Sequence, residues 1–373
     1  MSPELYEFLD FFAGSGLVTE GVKPYFHTAW ANDISPKKAE VYLANQDPYS
    51  FYLGPLQNFS GQNLPQADVS WASFPCQDLS LAGKQQGING NRSGLVWTWL
   101  KIMDEMPTRP PIVVVENVSG LTSTSRGNNY RTLHQALTGR NYQVGPLQLD
   151  ALRWLPQSRK RIFVLGVRTD VNLDGLTDDA PNWLHPEALR RAVDGLTEVI
   201  WWSLQTPPPR TLKLSDVIEY DAPLHTSEQT KKLLALIPPK HMAKLKQALT
   251  QGLRVFPGYK RIRGKKQVLE IRTDDISGCL RTANGGSSRE FIVISVNGEL
   301  KTRLLTVREA ARLMGLPDSY SIPGDYNSGY NAMGDAVALP VTRFLTEHLL
   351  LPLARRAHAD NPRVFTKIQE AIR

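Results

Sequence analysis

The chain has 373 residues, of which 41% are hydrophobic and 21% are charged, and its formal net charge at pH 7 is +7. This length allows one large domain with a smaller one, and the composition is that of an ordinary globular protein. No run of the ~18 apolar residues that span a bilayer occurs, and the first residues lack a secretory pattern, so we expect a cytosolic protein without membrane contact.

The first half alternates short apolar runs with helical patterns. Five apolar runs predict buried strands: residues 6–12, 28–32, 69–74, 112–115 and 162–167. Helices are predicted near Val18 and after Ser35, where Pro36 occupies the first helical position. This alternation is typical of an α/β fold with a doubly wound, mainly parallel sheet. Ligands of such sheets bind beyond the carboxyl ends of the strands, where four polar residues fall: Asp10, Asp33, Cys76 and Glu116.

The periodicity weakens after residue 168 and returns near Thr306. We predict a smaller, irregular and partly β domain over residues 171–325, with an amphipathic helix at 233–249, and a larger domain formed by residues 1–170 together with 326–373. Thr306 and Glu309 fit a capping box at the start of a helix, which Gly315 ends.

The smaller region carries a basic segment. Between Lys231 and Arg272 twelve residues are Lys or Arg, and Glu270 is the one acid. Such a segment is either a solvated basic face or a surface that follows the phosphates of a nucleic acid.

The loop after the first strand contains Gly14 and Gly16, which allow close approach of a ligand. Thr19 stands where a dinucleotide-binding pattern needs a third glycine. Asp33 ends the second strand, where an acid suits a ribose diol. These residues predict an adenosine-containing cofactor, and they disfavour a nicotinamide oxidoreductase.

Cys76 and Glu116 each follow an apolar run. Because the chain has only two cysteines, Cys76 is either a nucleophile or an inert buried thiol. Glu116 is either an ordinary exposed acid or a proton donor in an enclosed pocket. Arg159 and Arg161 either form a solvated basic turn or hold an anion or a polarised carbonyl oxygen.

The order of these motifs resembles one family closely. The matching segments are DFFAGSG (10–16), ND (32–33), Asp68, FPCQDLS (74–80), RSGL (92–95), ENV (116–118), QSRKR (157–161), RLLTVREAAR (303–312) and GDAV (334–337). The chain is thereby similar to the DNA (cytosine-5) methyltransferases that use S-adenosylmethionine. Asp335 stands where the family commonly has Asn, and Leu17 replaces a common third glycine.

The resemblance implies a class I methyltransferase (Rossmann-like) domain, a target-recognition domain at 171–325, and roles for particular residues. The implied catalytic residues are Cys76, Glu116, Arg159 and Arg161. The implied cofactor contacts are Asp10, Phe12, Ala13, Gly14, Gly16, Asp33, Ile34, Asp68, Pro75, Leu95, Asp335 and Ala336. We expect DNA contacts from Gln77, Ser80, Lys260, Arg261, Lys265, Lys266, Arg281, Ser287, Ser288 and Arg289. The arginines from 281 to 289 either read guanine or hold phosphates.

The implied reaction transfers a methyl group to C5 of a cytosine flipped out of duplex DNA, through a bond between Cys76 and C6. No metal is expected. The alternatives are an RNA (tRNA) cytosine-5 methyltransferase and a catalytically silent DNA-binding module on the same fold. We expect a monomer in the bacterial cytoplasm, with a cognate restriction endonuclease as a candidate partner.

Overall fold

A seven-stranded sheet organises the larger part of the protein. The computed structural model describes residues 6–75, 94–282 and 288–360. The strands of this sheet are β1 (Tyr6–Phe11), β2 (Phe26–Asp33), β3 (Phe51–Leu53), β4 (Val69–Ala72), β5 (Ile112–Asn117), β6 (Tyr142–Asp150) and β7 (Lys160–Arg168). Their spatial order is β3-β2-β1-β4-β5-β7-β6. Neighbours from β3 to β5 are parallel, whereas β7 is antiparallel to both β5 and β6. The predicted α/β class and mainly parallel sheet are confirmed.

Helices cover both faces of this sheet. They are α1 (Leu17–Val22), α2 (Pro36–Leu43), α3 (Leu95–Glu105), α4 (Gly120–Ser123) and α5 (Asn128–Thr138). Strands β4 and β5 are buried along their whole length, as expected for parallel strands between two helical layers. The chain moves outward from β1 to β2 on one side and to β4 on the other, so the sheet's switch point lies at the carboxyl end of β1.

The last helices return to this sheet. They are α10 (Tyr326–Asp335), α11 (Leu339–Leu345) and α12 (Leu351–Asp360), with a π-helical turn between the last two. Within the described residues, one helical stretch, Tyr326–Ala359, is long and apolar enough to cross a membrane, but 67% of its most apolar window is buried in the protein. It therefore packs as a core helix, and Gly21 of α1 lies directly against Thr342 of α11.

A second sheet forms the centre of the smaller region. It is antiparallel, with the order β11-β10-β12-β13. Its strands are β10 (Val255–Arg263), β11 (Lys266–Ile271), β12 (Glu290–Val296) and β13 (Glu299–Leu304). Helices α7 (Ser227–Leu234) and α8 (Pro239–Thr250) cover one face of this sheet. Leu233 and Leu245 of the helices share a buried cluster with Phe256 and Leu269 of the strands. A two-stranded sheet, β8 (Thr177–Asp178) with β9 (Trp201–Trp202), and α6 (Glu187–Val193) precede them.

The prediction of one helix at 233–249 is wrong. Two helices cover this stretch, and Pro238 and Pro239 separate them. Proline lacks an amide hydrogen and disfavours a helical conformation in the residue before it, so the first helix ends and Pro239 begins the second.

The predicted capping box is present at the start of α9 (Val307–Leu313). The Thr306 hydroxyl accepts a hydrogen bond from Glu309 N, and the Glu309 carboxylate accepts one from Thr306 N. Gly315 follows with φ of 83°, a left-handed conformation that suits glycine. The Tyr320 hydroxyl then donates to Ser15 O at 2.6 Å. This part of the predicted smaller domain thus contacts the glycine loop, and the domain boundaries stay a prediction.

Candidate active site

The loop after β1 is held in a tight conformation at the carboxyl edge of the sheet. Phe12, Gly14 and Gly16 all have positive φ, at 61°, 57° and 81°. A Cβ on Gly16 would lie 3.0 Å from the Tyr42 ring and 3.2 Å from the Tyr320 hydroxyl. Glycine is therefore needed at this position, and the loop packs closely enough for its backbone to line a ligand cleft.

Asp10 lies buried beneath this loop. The Thr19 hydroxyl donates to Asp10 Oδ2 at 2.8 Å, while Asp10 Oδ1 is buried without a hydrogen-bond partner. Burial raises the pKa of Asp10 to about 7, and the nearby Asp33 adds to the rise. Thr19, which in the sequence argues against a dinucleotide-binding pattern, thus binds Oδ2 of this carboxyl group. Oδ1 can accept a hydrogen bond from a ligand amine or an ordered water.

Asp33 lies across the loop from Asp10, at the end of β2. Its carboxylate accepts hydrogen bonds from Gly14 N at 3.0 Å and from Ser35 N at 2.8 Å. Each carboxylate oxygen keeps a further lone pair for a ribose hydroxyl. Ile34 follows with 67% of its surface exposed, so its apolar side chain is open to contact with a ligand ring. The residues present therefore fit an adenosine-containing cofactor.

The assignment of Asp68 to the cofactor set is corrected by its position. Asp68 precedes β4, so it lies at the amino end of the parallel strands and not at their carboxyl ends. Its carboxylate accepts from Glu7 N at 2.7 Å and contacts His358 Nε2 of α12 at 2.5 Å. Asp68 therefore joins the start of β1 to the last helix on the edge of the sheet opposite the glycine loop.

The approach to Cys76 is fixed by the end of β5. Asn117 Nδ2 donates to Phe74 O at 3.1 Å, and Asn117 Oδ1 accepts from Val118 N. Pro75 is the last described residue of this segment, and Cys76, Gln77 and Ser80 lie outside the described residues. Leu95 begins α3 on the far side of that gap. The hydrogen bond to Phe74 brings the chain beside Glu116 only two residues before Cys76.

Glu116 and Arg161 form a buried ion pair. Arg161 Nε lies 3.0 Å from Glu116 Oε1, and the two side chains are 13% and 9% exposed. Burial raises the pKa of Glu116, while the positive charges of Arg161 and then Arg159 oppose that rise. Ser73 also donates to the Glu116 carboxylate. Burial thus makes this carboxyl group a weaker acid than an exposed glutamate.

Arg159 does not lie beside Arg161 as a second ligand for an anion. Its guanidinium is 1% exposed and donates to the carbonyl oxygens of Leu280 at 3.0 Å, Gly334 at 2.9 Å and Ala336 at 2.5 Å. The guanidinium therefore bonds to protein carbonyls and ties three segments together, which fits a supporting part beside Arg161, and its place in the catalytic set stays a prediction. Gly334 is required here, since a Cβ would lie 2.9 Å from the backbone of Arg281.

Two features of the site were missed from the sequence. Lys38 Nζ pairs with Asp335 Oδ2 at 2.8 Å, which gives the acid at the usual Asn position a partner from α2. The Lys38 side chain also passes near Gly14. The second feature is Cys279, whose Sγ accepts from Arg159 Nη1 at 3.4 Å. A sequence pattern indicates neither contact, because each joins segments far apart in the chain.

The expected DNA contacts divide into exposed and internally bonded groups. Lys265 and Lys266 are exposed at the β10–β11 hairpin, Arg281 is exposed, and Lys260 and Arg261 are partly exposed on β10. The Ser288 hydroxyl, in contrast, accepts from Lys260 N at 2.8 Å and donates to its carbonyl, so it fastens β10. Arg289 bonds to Asn327 and lies over the Tyr326 ring, and Ser287 lies outside the described residues.

Comparisons with known proteins agree with this geometry. A family model of C-5 cytosine-specific DNA methylases matches residues 6–350. The chain is 28% identical to the type II methyltransferase M.NgoBI of Neisseria gonorrhoeae over 340 residues, covering 90% of each chain. It is 25% identical to M.HhaI of Haemophilus parahaemolyticus over 350 residues, covering 92% of this chain and 93% of that protein.

The fold is also that of solved methyltransferases. The crystal structure of the Schizosaccharomyces pombe Dnmt2 methyltransferase superposes with a TM-score of 0.59 at 16% identity, covering 93% of this chain and 99% of that one. The sheet order, the glycine loop, the Glu116–Arg161 pair and the match along nearly the whole sequence lead to one assignment. The chain belongs to the C-5 cytosine-specific DNA methylase family and is a DNA (cytosine-5) methyltransferase whose methyl donor is S-adenosylmethionine.

Proposed function

We propose that this enzyme methylates a cytosine within a specific duplex sequence, after the base has flipped out of the helix and bonded covalently to Cys76. The observation that carries the proposal is the hydrogen bond from Asn117 to Phe74 O, beside the Glu116–Arg161 pair. It anchors the chain that leads to Cys76 at the same strand end as the buried acid. A thiol and a carboxyl group side by side suit addition to a pyrimidine ring.

The protein side chains divide the chemistry between them. The Cys76 thiolate adds to C6, and the electrons of the C5–C6 bond make C5 nucleophilic. Glu116 holds N3 and the exocyclic amine, and its raised pKa keeps a proton available for N3 as the ring gains electrons. Arg161 orients Glu116 and holds the O2 edge of the base. S-adenosylmethionine, when bound, would supply an electrophilic methyl group, which passes to C5 as the sulfonium S–C bond breaks and its electron pair stays on the sulfur of the departing S-adenosylhomocysteine. Loss of the C5 proton to a base and of Cys76 from C6 then restores the aromatic ring.

The cofactor is held by the loop at the carboxyl edge. Asp33 would accept from the ribose hydroxyls, Ile34 would cover one face of the adenine, and Asp10 Oδ1 would accept from the cofactor's amine directly or through water. Phe12, Ala13, Gly14 and Gly16 would contribute backbone, and Pro75, Leu95, Asp335 and Ala336 are proposed around the rim. Asp68 is left out of this set.

The smaller region would bind the DNA. Lys265 and Lys266 extend from the hairpin at the edge of its sheet, and Arg281 is exposed on the segment that contacts the catalytic arginines. We assign Lys260, Arg261, Lys265 and Lys266 to phosphates and Arg281 to a base edge or a phosphate near the flipped cytosine. The DNA substrate and the bacterial relatives support a cytoplasmic location and a place in a restriction-modification system.

The covalent step is tested with a duplex library that contains 5-fluorocytosine, which cannot lose its C5 substituent after methylation. We expect wild type to form an adduct that survives denaturing electrophoresis, and Cys76→Ala to form none while it still binds DNA and cofactor. Cys279→Ser is the matched control, because it alters the other cysteine and should still trap DNA on long incubation.

An adduct with Cys76→Ala would refute the proposed nucleophile. Methyl transfer to tRNA but not to duplex DNA would instead favour the RNA enzyme. If wild type bound DNA and formed neither product nor adduct, the silent binding module would be the correct description. Bisulfite sequencing of DNA from expressing cells would identify the target sequence.

A further inference from the structure

The second cysteine of the chain reaches the methyl-transfer site from the recognition region. Cys279 Sγ lies 3.4 Å from Arg159 Nη1 and 3.9 Å from Arg161 Nη1. Arg161 is the residue that pairs with Glu116. The sulfur thus stands between two guanidinium groups, one of which contacts the proposed base-binding acid.

The position of this sulfur is fixed on one side by the catalytic region. Residues 277–280 run beside residues 156–159, with Ser158 N donating to Ser277 O at 3.0 Å and Ser277 N donating to Pro156 O at 2.8 Å. Leu280 N donates to Gln157 Oε1 at 3.2 Å. Backbone bonds on both sides of Cys279 therefore leave its side chain little freedom.

The antiparallel sheet of β10 to β13, here called the recognition sheet, fixes the Cys279 segment on the other side. The Tyr259 hydroxyl of β10 donates to Cys279 O at 3.1 Å. Glu290 of β12 is fully buried, and its carboxylate accepts from Ser277 Oγ at 2.6 Å and from Gly278 N at 3.0 Å. Hydrogen bonds from β10 and β12 thus hold residues 277–279, the segment that carries the sulfur.

The charges around the sulfur explain what it does there. Arg159 and Arg161 repel each other: burial lowers the pKa of Arg159, and the charge of Arg161 lowers it further. Burial alone would raise the pKa of Cys279, but Arg159, Arg161 and Arg281 outweigh it and lower this pKa. The other charged groups that face the cluster are Glu116, Glu290 and Asp335. A sulfur that accepts from both guanidinium groups offsets part of the repulsion between the two cations.

We propose that Cys279 is a positioning residue for methyl transfer: its sulfur, held by the recognition sheet, keeps the Arg161 guanidinium oriented against Glu116. This inference rests on the proposed function, and it adds that the recognition region supplies a side chain to the catalytic centre. Without the sulfur, Arg161 Nη1 retains the bond to Lys160 O, and repulsion from Arg159 turns the guanidinium away from the acid.

The test compares Cys279→Ala and Cys279→Ser with wild type in single-turnover methylation of duplex DNA at saturating cofactor and DNA. We expect Cys279→Ala to lower the rate on the order of ten-fold, the effect of one hydrogen bond to a charged group. The KM for S-adenosylmethionine and the Kd for DNA should change less than about two-fold, because the sulfur contacts neither ligand. Cys279→Ser keeps an acceptor and should recover most of the rate.

Thermal unfolding and cofactor binding verify that the Ala and Ser variants are folded. The inference is overturned if Cys279→Ala matches the wild-type rate, if Ser is as slow as Ala, or if the loss appears only in DNA affinity. A wild type without methylation would refute the proposed function itself, which is a separate outcome.

Discussion

One buried ion pair joins Arg303 of β13 to Glu309 of α9, and replacing this acid should destabilise the protein strongly. Arg303 and Glu309 have side chains that are 3% and 0% exposed. The Glu309 carboxylate accepts from Arg303 Nη1 at 2.7 Å, from Arg303 Nη2 at 2.5 Å, from Thr306 N at 2.8 Å and from Glu219 N at 2.8 Å. In Glu309→Gln one acceptor oxygen becomes a donor, so a buried guanidinium and one backbone amide lose their acceptors.

Breaking a buried pair by changing one partner costs about 3–5 kcal/mol, because the remaining charge stays buried. With an unfolding entropy of about 2.1 cal/mol/K per residue, this is a fall in Tm of about 4–6 °C for a cooperative chain of this length. Urea titration and calorimetry measure both quantities. Thr306→Ala is the matched control, since it leaves both members of the ion pair in place while it removes a hydroxyl that accepts from Glu309 N and donates to Glu219, and it should cost about 1 kcal/mol.

The double variant Arg303→Met with Glu309→Leu separates burial of charge from loss of packing. It removes both charges at similar volume, so it should be more stable than Glu309→Gln. A Glu309→Gln protein within about 1 kcal/mol of wild type, or a double variant less stable than the single one, would refute this reasoning.

Three further predictions concern pH, salt and the cofactor. Burial raises the pKa of Glu290 from 4.5 to about 7, so the unfolding free energy of wild type should fall as pH rises through that interval. Above pH 7 the unfolding free energy of Glu290→Gln should have risen by about 3 kcal/mol relative to wild type. Parallel curves of stability against pH for the two proteins would contradict this. Neutralising Lys265 and Lys266 should weaken binding to all duplexes alike and reduce the slope of log K against log salt by about 2, whereas a change in base preference would contradict the phosphate assignment. Lys38→Met should raise the Kd for S-adenosylmethionine several-fold in calorimetric titrations. It should change the unfolding free energy by less than about 1 kcal/mol, because the ion pair of Lys38 with Asp335 is partly exposed. An unchanged Kd would show that this ion pair is not part of the cofactor site.

The strands and the edge at which they end were predictable because burial leaves a direct mark on the sequence. A short run of β-branched residues such as 112–115 is typical of a strand covered on both faces. Residues that follow such runs, including Asp33 and Glu116, then fall at one edge by topology alone. The capping box at Thr306 was equally readable, since it is a local pattern of two side chains.

The failures have an equally physical origin. Asp68 was placed in the cofactor set from a motif, but it lies at the start of β4, and only the position of the strand decides which edge its carboxylate occupies. The roles of Lys38 and Cys279 depend on contacts with Asp335 and Arg159, which lie far away in the chain. No local propensity encodes such pairs. Pro238 and Pro239 indicate an interruption of the predicted helix, but the amphipathic pattern on both sides of them favours one continuous helix.

The Gln-x-Arg-x-Arg motif shows why spacing alone did not assign its members. Gln157, Arg159 and Arg161 alternate along extended backbone, so the sequence predicted two arginines with one task. Arg159 instead donates to three carbonyl oxygens and a sulfur from two other segments of the chain. A lysine at this position would present three donors from one point and could not reach acceptors spread around a planar fork. The first arginine is therefore needed to hold residues 279–280 and 334–336 in register, and the second can then face Glu116 with its orientation already set.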